Sequence, residues 1–584
     1  MVIRILAFVL FVVSPLAANA DADNNHHSSR LRLEEATVAQ LQAAMASRRL
    51  TSEQLTRAYI GRILAFDQDG PGVNSVMELN PDALDMARRA DELRRRGRVL
   101  GPLHGIPVLL KGNIDTGDRM QTTAGSFGLK GAPALRDSTV AARLRAGGAV
   151  ILGKTNLSEW ANFRSFNSSS GWSAVGGQTH NPYGLNRNPC GSSSGSGAAA
   201  SANFAAVTLG TETDGSIVCP GNANGVVGLK PTVGLTSRAG VVPISHTQDT
   251  VGPYGRTVAD AAITLSVIQC RTSDGRDPAT AGVPLGWTGR PRPTNIPADY
   301  TRFLDRNGLQ GARLGLTRSG IENAPAQVGA AFDEVLEALE AAGATVIDLD
   351  AAGFVFAPAD GEFLVLVYEF RDDLRNYLAT RRGVPLAGQT IAEAIAFNEA
   401  NAEREMPFFA QEIFELTNSL ALGADTPQPA FGGMTYNQAL EIDRLSGVNG
   451  IDKALQDFDL DAVIAPTDNP AWATDLLYGD RFLFGSSGLA AGAGYPIIQV
   501  PATNVHGAPL GISFFGTAFS EPTLIKLASG FEAVTRERAK NPPTFVERLP
   551  DDHVEGVPVN KSRAASKQKN APPQDAKKWR PRRM

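Results

Sequence analysis

The sequence has few cysteines, few histidines and little net charge, and each scarcity excludes a class of protein. Three cysteines among 584 residues, Cys190, Cys219 and Cys270, exclude a disulfide-rich scaffold. We expect three buried thiols, with one disulfide plus one free thiol as the alternative. A net charge of −5 gives no indication of a general nucleic-acid-binding surface. The seven histidines show no metal-ligand spacing, so the sequence predicts no metal site.

The sequence also lacks an apolar run of the length of a typical membrane span. The longest such run, "ILAFVLFVVSPLA", follows Arg4 and is followed by the small-residue stretch "ANA" ending at Ala20. This order is typical of a cleaved export signal. We therefore predict a signal peptide over residues 1–20, a mature chain from about Asp21 without a stable membrane span, and a periplasmic or secreted location. A retained anchor helix is the alternative.

The C-terminal segment differs in composition from the rest of the chain. Residues 551–584 are rich in lysine, arginine and proline and contain almost no apolar side chains. Such a segment cannot bury enough surface to offset the entropy of ordering. We predict a disordered basic tail, either a solvated tail without a partner or a weak attachment to an anionic surface.

Between these termini the pattern alternates between helices and strands. The stretch "TSEQLTRAYIGRILAF" predicts a helix over residues 51–66, which begins with a capping box of Thr51 and Gln54. Buried strands are predicted at residues 106–110 and in "AVIL", "ATVIDLD" and "LDAVIAPT". Alternating strands and helices predict an α/β fold with a sheet covered on both faces. No internal repeat or linker is evident before about residue 550.

Two short motifs suggest functions that their surroundings contradict. "GAVILGKT" over residues 148–155 matches the phosphate-loop pattern, but its four central residues form a strand instead of a flexible loop. Nucleotide binding is therefore not expected.

"GSSSG" over residues 191–195 matches a nucleophile elbow centred on Ser193, but no strand precedes it. The elbow also needs a late histidine, and only His506 and His553 lie late in the chain. His104, His180 and His246 are further candidates for a base, although a single histidine is usually structural.

The segment "GTETDGSIVCP" contains Ser216 without a nearby histidine to take its proton. Lys111 follows the strand "PVLL", and a lysine buried there can lose its proton because burial disfavours the charged form. A neutral lysine is a competent general base. The alternative, equally supported by this residue alone, is a surface ion pair of Lys111 with Asp115.

Taken together, the motifs resemble those of the amidase signature family. The resemblance is dense over about residues 35–265 and thinner to "GYPIIQVPA" and "GAPLGISFFG". Within the family, "NLSEWANF", "PCGSSSGS" and "GTETDGSIVCP" are most similar to the bacterial peptide amidases, which remove the C-terminal amide of peptides. The matching segments are "GIPVLLKGNID", "GAVILGKTNLSEWANF", "NPCGSSSGSGAA", "LGTETDGSIVCP", "GVVGLKPTVGLTSRAGVVPIS" and "TQDTVGPYGRTVADAA".

The resemblance implies an amidase domain over residues 21–550, with a large mixed β-sheet covered by helices on both faces. It implies a Ser–cis-Ser–Lys triad in which Ser216 is the nucleophile, Ser192 the bridging serine and Lys111 the base. It further implies a supporting role for Ser193 and no cofactor. The expected oxyanion hole consists of the backbone N–H groups of Thr213, Asp214, Gly215 and Ser216.

The sequence departs from the family pattern at two places. Gly112 stands where many members carry an aspartate after the catalytic lysine, and Val218 and Cys219 stand where many carry an arginine. An apolar wall beside Ser216 disfavours a substrate carboxylate near the scissile bond. The substrate expected is a peptide amide or a similar carboxamide that releases ammonia.

Three other functions remain as alternatives. The first is a hydrolase of aryl or fatty amides. The central segment, about residues 272–460, would determine this substrate preference, and the resemblance is weakest there. A transamidation subunit for charged transfer RNA is disfavoured by the signal peptide. A catalytically inactive binding protein is disfavoured because Lys111, Ser192 and Ser216 are all present.

Overall fold

The computed structural model describes residues 33–282 and 292–549. The predicted signal peptide and the predicted basic tail lie outside the described residues. Within these two ranges, no helix has both the length and the apolar character needed to cross a bilayer.

One large mixed sheet forms the centre of the fold. Its eleven strands, within the described residues, have the order β1-β3-β2-β6-β8-β7-β12-β13-β11-β9-β10, and β4 and β5 form a separate short ribbon. The neighbours β3, β2 and β6 are parallel, as are β11, β9 and β10, whereas the pairs between these groups are antiparallel. The strands are β1 Val76–Leu79, β2 Pro107–Lys111, β3 Val150–Thr155, β4 Trp172–Ser173, β5 Gly177–Gln178, β6 Val207–Glu212, β7 Val227–Lys230, β8 Thr250–Gly255, β9 Arg313–Leu316, β10 Thr345–Asp348, β11 Ala462–Pro466, β12 Ile497–Val505 and β13 Ala508–Phe515.

Helices cover both faces of this sheet. Along β11, Ala462 and Ile464 pack in one apolar cluster while Val463 and Ala465 pack in another, because successive side chains of a strand point to opposite faces. The helices are α1 Val38–Ala46, α2 Ser52–Ile63, α3 Ala83–Arg95, α4 Thr139–Ala146, α5 Ser194–Ser201, α6 Val218–Ala223, α7 Val258–Ile268, α8 Ala326–Ala341, α9 Glu362–Thr380, α10 Ile391–Ala400, α11 Ala402–Glu405, α12 Glu412–Ser419, α13 Tyr436–Ser446, α14 Lys453–Asp457, α15 Ser487–Ala491, α16 Glu521–Thr535 and α17 Glu537–Lys540. The predicted α/β sheet with helices on both faces is confirmed.

The local predictions hold with small shifts of boundary. The helix predicted over residues 51–66 is α2, which begins with the expected capping box of Thr51 and Gln54 and continues as a π-helical turn over Leu64–Gln68. The strand predicted at residues 106–110 is β2, which extends to Lys111. The phosphate-loop match falls on β3, whose six residues are all buried, so this segment cannot wrap around a phosphate.

Candidate active site

Lys111 lies at the carboxyl end of β2, completely buried in the middle of the sheet. Its Nζ donates hydrogen bonds to Ser192 Oγ (2.8 Å), to Thr211 Oγ1 (2.9 Å) and to the Thr211 carbonyl oxygen (3.3 Å). Thr211 lies on β6, the parallel neighbour of β2, so the pairing of the two strands fixes the position of the ammonium group. The lysine therefore faces a hydroxyl group and not solvent.

The two serines continue this chain of polar groups. Ser192 Oγ donates a hydrogen bond to Ser216 Oγ across 3.0 Å, and both side chains are buried, Ser192 completely and Ser216 to 8 % exposure. The peptide bond between Gly191 and Ser192 is cis, as the resemblance implies. Lys111, Ser192 and Ser216 thus form a continuous hydrogen-bonded chain.

A buried carboxyl group, that of Glu212, holds the turn that carries Ser216. Its Oε2 accepts hydrogen bonds from the backbone N–H groups of Ile217 (2.6 Å) and Val218 (3.0 Å) at the start of α6. The Tyr254 hydroxyl donates to the Ser216 carbonyl oxygen at 3.2 Å. Sequence reasoning missed Glu212, although a carboxylate at a strand end just before a glycine–serine turn is a signal for such a cap.

Burial determines the protonation of Lys111. Desolvation lowers the pKa of Lys111 to about 7, and the negative charges of Asp249 and Glu212 oppose that effect only in part. A substantial fraction of Lys111 is therefore neutral near pH 7. The alternative of an ion pair with Asp115 is wrong, because Asp115 is itself buried and pairs with Arg381 at 3.1 Å.

The backbone of the turn before Ser216 leaves its N–H groups available. Gly215 has a φ of +74°, a conformation that favours glycine, and a Cβ there would lie 3.1 Å from Ser487 Oγ. Among the hydrogen bonds of the described residues, none uses the backbone N–H of Thr213, Asp214, Gly215 or Ser216 as a donor. These groups are the expected oxyanion donors, and their geometry is compatible with that role.

A cavity of about 550 Å³, called here the Ser216 pocket, opens beside these N–H groups. The apolar part of its wall is supplied by the 161–163 segment, by α9 and by the 482–484 segment, and polar side chains supply much of the rest. It is lined by Ala161, Asn162, Phe163, Gly191, Thr213, Asp214, Gly215, Ser216, Cys219, Ile244, Leu366, Asp468, Phe482, Leu483, Phe484, Gly485, Ser487 and Gly488.

Val218 does not form the wall that the sequence predicted. Its side chain is fully buried and packs in the cluster of Val463 and Ile497, away from the pocket, because α6 turns this position toward the sheet. Cys219 lines the pocket instead. Neither position carries an arginine. Of the two residues, only Cys219 faces the pocket, so Cys219 is the residue that leaves this part of the wall without a cation.

The expectation of three buried thiols is wrong. Cys190 and Cys219 form a disulfide, and only Cys270 is a free, buried cysteine. The bridge joins the loop before Ser192 to the helix after Ser216. Sequence separation alone gave no reason to pair these two cysteines, because the turn that brings them together depends on the sheet.

The structure gives Ser193 and the histidines other partners. Ser193 precedes α5, and its Oγ donates at 2.9 Å to the Thr211 carbonyl oxygen of β6, which also accepts a hydrogen bond from Lys111 Nζ. His104 Nε2 lies 2.9 Å from the Ala90 carbonyl oxygen, and His180 Nδ1 lies 2.9 Å from that of Leu185. His506 lies between β12 and β13, and His553 lies outside the described residues.

His246 belongs to a cluster that sequence spacing did not reveal. Its Nδ1 lies 2.9 Å from Asp373 Oδ2, and its Nε2 lies 3.3 Å from Glu369 Oε1. Burial lowers the pKa of His246, but the hydrogen bond that the ring donates to Asp373 and the charge of Glu369 outweigh this effect and raise the pKa. The three side chains are close enough to share a metal ion, but each ring nitrogen faces a different carboxylate, which suits an imidazolium.

Comparisons with known proteins identify the family of the chain. The family model Amidase matches residues 54–525. A protein of Arabidopsis thaliana that carries the name Probable amidase is 41% identical over 527 residues, which cover 89% of this chain and 93% of the relative. A glutamyl-tRNA(Gln) amidotransferase subunit from Chloroflexus aurantiacus is 32% identical over 87% of this chain and 99% of its own length.

Among solved structures, the native peptide amidase from Stenotrophomonas maltophilia is similar over 88% of this chain and 99% of its own, with 46% sequence identity and a TM-score of 0.78. The family match covers most of the described residues and includes Lys111, Ser192 and Ser216. The chain belongs to the amidase signature family.

Proposed function

We propose that this protein is an exported amide hydrolase that releases ammonia from carboxamides, above all from the C-terminal amides of peptides, by a Ser–cis-Ser–Lys mechanism. The observation that carries the proposal is the hydrogen-bonded chain from Lys111 Nζ through Ser192 Oγ to Ser216 Oγ, at 2.8 Å and 3.0 Å. A buried lysine at one end of two hydroxyl groups is the arrangement of a base that activates a serine nucleophile.

In the first half of the reaction, neutral Lys111 accepts the proton of Ser192 while Ser192 accepts that of Ser216. Ser216 Oγ then attacks the carboxamide carbon. The oxyanion that forms is stabilised by backbone N–H groups of the turn from Thr213 to Ser216, each such donor being worth about 3–4 kcal/mol of barrier. The proton returns through Ser192 to the leaving nitrogen, and ammonia departs.

In the second half, water attacks the acyl group on Ser216. Its proton passes through Ser192 to Lys111, and the collapse of the second tetrahedral intermediate returns a proton to Ser216 and releases the carboxylic acid. The depressed pKa of Lys111, about 7, suits a group that must accept and return a proton near neutral pH.

The substrate preference rests on the Ser216 pocket. Its apolar wall includes Phe163, Leu366 and Phe484, which suit an apolar side chain on the acyl part of the substrate. No lysine or arginine lines the Ser216 pocket. Arg238 lines a smaller adjoining cavity with Ser192 and Ser216, but its guanidinium group pairs with Asp277 at 2.6 Å. A substrate carboxylate in the Ser216 pocket would therefore lose its hydration without gaining a free cation as a partner. The similarity to a peptide amidase supports a peptide amide over a free small amide.

Export is part of the proposal. The N-terminal sequence up to Ala20 has the order of a signal peptide. The disulfide between Cys190 and Cys219 supports an oxidising compartment, since such bonds are rare in the cytosol. An aryl-amide hydrolase is the second candidate function, because the same apolar wall would also accept an aryl group.

Ammonia release from a panel of amides tests the function. We expect an N-acetylated dipeptide amide to exceed malonamate by about a thousandfold in kcat/KM, because the unpaired carboxylate of malonamate would cost several kcal/mol on burial. Mass spectrometry of a longer amidated peptide should show loss of the terminal amide with internal bonds intact. Faster turnover of malonamate or of an anilide, or internal cleavage, would contradict the proposed substrate class.

Single alanine variants of His104, His180 and His246 serve as controls in the same assay. None should abolish turnover, since each imidazole contacts backbone or carboxylate oxygens and not a serine. Loss of activity in one of them, with the fold intact, would favour a serine–histidine mechanism.

A further inference from the structure

The charged side chains of the Ser216 pocket are all acidic. Asp214 and Asp468 line it, and none of its described lining residues is a lysine or an arginine. Lys230, a nearby buried cation, donates from its Nζ to the Tyr495 carbonyl oxygen at 2.6 Å and does not line the pocket. The pair Asp214 and Asp468, called here the acidic subsite, therefore has no cation of the protein within its own cavity.

Asp468 is the more informative member of the pair. It is only 5 % exposed, yet across residues 33–282 and 292–549 its carboxyl group accepts no hydrogen bond. A buried carboxyl group is normally paired, because leaving it unpaired costs free energy. The space in front of it is kept open by Gly485, where a Cβ would lie 2.8 Å from Asp468 Oδ1. The position is therefore open to a ligand.

The electrostatics of the acidic subsite also favour a positively charged ligand. Burial, together with the charges of Asp214 and Glu212, raises the pKa of Asp468 well above its ordinary value. A positively charged group that enters the pocket would reverse this effect and favour the carboxylate. A second anion would be disfavoured by every acidic group present.

We propose that Asp468, with Asp214, forms a specificity subsite that binds a positively charged nitrogen on the acyl part of the amide substrate. The inference rests on the proposed function and deepens it, because it names a cationic peptide amide as the preferred substrate class. The nitrogen belongs either to the free N-terminus of a short peptide amide or to a basic side chain, and both present the same charge to the subsite.

The test compares three amides that share a C-terminal phenylalaninamide and differ in the residue before it, which is neutral or carries an ammonium group at one of two positions. They are N-acetyl-alanyl-phenylalaninamide, which is neutral, alanyl-phenylalaninamide, which has an N-terminal ammonium group, and N-acetyl-lysyl-phenylalaninamide, which has a side-chain ammonium group. Each is assayed with the wild type, Asp468→Asn and Asp214→Asn. The matched control is Asp459→Asn, whose carboxylate is 98 % exposed.

We expect Asp468→Asn to lower kcat/KM at least about tenfold for one or both cationic amides, because truncating one partner of a desolvated charge pair is costly. The neutral amide should change less than about threefold, and Asp459→Asn should leave all three unchanged. The cationic amide that loses activity identifies which nitrogen the subsite binds. Equal changes for all three substrates, or no change for either cationic amide, would overturn the proposal.

Binding to Ser216→Ala protein separates this proposal from the proposed function. If the wild type hydrolyses none of the three amides, the proposed function fails, and calorimetry decides the subsite alone. Tighter binding of a cationic amide than of the neutral one, lost in the Ser216→Ala/Asp468→Asn protein, would support the subsite. Equal affinity for the three amides would overturn it. Should Asp468→Asn fail to fold, Asp468→Ser, which also removes the carboxyl group, gives the same comparison.

Discussion

Two neighbouring strands, β2 and β3, each carry a buried lysine, and the two lysines differ in what they contact. Leu110 of β2 pairs with Lys154 of β3 in parallel register, so Lys111 and Lys154 are close in the sheet. Both are almost completely buried. Burial lowers the pKa of Lys111 to about 7 and that of Lys154 to about 8. By burial and pKa alone, either lysine would qualify as a base.

Their partners separate them. Lys154 Nζ donates to the Ile114 carbonyl oxygen and, at 3.2 Å, to Thr122 Oγ1. These two hydrogen bonds stabilise the segment that follows β2. Lys111 Nζ donates to Ser192, which leads to Ser216. A depressed pKa is therefore a general result of burying a lysine, while a contact with a chain of hydroxyl groups is particular to the candidate base. We interpret Lys154 as a structural lysine.

The strongest test of this comparison replaces each lysine by methionine. Lys111→Met should lower kcat/KM by at least about 10⁴-fold and match Ser216→Ala, since members of one catalytic unit are not additive. Lys154→Met should change it less than about tenfold per folded molecule, because its Nζ contacts no reacting group. Circular dichroism confirms folding. Comparable losses in the two lysine variants would break the comparison, and substantial activity in Lys111→Met or Ser216→Ala would contradict the triad.

The disulfide gives a second test of the difference between Lys111 and Lys154. That difference depends on Ser192 and Ser216 being kept in position next to Lys111. The bridge spans 29 residues and links the segments that carry Ser192 and Ser216. Replacing Cys190 and Cys219 by serine should lower the free energy of unfolding by about 3–4 kcal/mol. We also expect kcat/KM to fall about tenfold at temperatures where the variant is folded, since small displacements of reacting groups are costly.

Reduction of the wild type with dithiothreitol should reproduce the effect of the double variant on stability, with Cys270→Ala as a control that leaves the bridge intact. A melting temperature that neither treatment changes would show that the bridge does not hold the site together.

A third test uses the stability of the same lysine variants. Lys111 is protonated in the unfolded chain below pH 10.5 but loses its proton in the folded protein near pH 7. The desolvation penalty is therefore fully present below about pH 7 and declines between pH 7 and 10.5. Lys111→Met should be more stable than the wild type by about 1–3 kcal/mol at pH 7, after the lost hydrogen bonds are counted.

Denaturant unfolding from pH 7 to pH 10 measures this difference, which should shrink as the pH rises. Lys154→Met should gain less free energy of unfolding than Lys111→Met. The negative charges of Asp115, Asp118 and Glu78 act on Lys154 and lose a cationic partner when it is replaced. A difference for Lys111→Met that is independent of pH would show that burial of the charge is not its cause.

The sequence predicted the α/β class of the fold and several strands of its sheet, and the resemblance supplied the three residues that the structure joins in one hydrogen-bonded chain. The pattern of strands and helices predicts β2, β3, β10 and β11 because apolar periodicity is a local property. It also rejects the phosphate-loop match that contains Lys154, because four apolar residues in a row cannot form a phosphate-binding loop.

What the sequence could not predict depends on contacts between distant segments. The bond between Cys190 and Cys219, the burial of Val218 behind the pocket and the cluster of His246 with Glu369 are set by tertiary packing. Asp468 had no sequence signal, since its unpaired carboxyl group becomes visible only when the pocket around it is known. Local sequence patterns thus predict individual helices and strands. The residues that line the pocket are known only once these helices and strands are packed together.

The smallest effect expected concerns the charge that faces Lys111. Because only neutral Lys111 accepts a proton, kcat/KM for a neutral amide should rise about tenfold per pH unit below pH 7 and level off above it.

Burial raises the pKa of Asp249 to about 6, so it is mostly ionised at pH 7, and its charge raises the pKa of Lys111. In Asp249→Asn that charge is absent. The midpoint of the profile should therefore shift to lower pH by a few tenths of a unit, which gives about twofold higher relative activity at pH 6. The asparagine oxygen can still accept the hydrogen bond that Thr213 Oγ1 donates at 2.5 Å. Its Nδ2 then replaces the oxygen that accepts from the backbone N–H groups of Ile244 and Ser245, so the midpoint of the profile, and not the absolute rate, is compared. Asp459→Asn, with a fully solvated carboxylate, is the control that should leave the midpoint unchanged. A shift toward higher pH, or an equal shift in the control, would show that the rising limb does not report the protonation of Lys111.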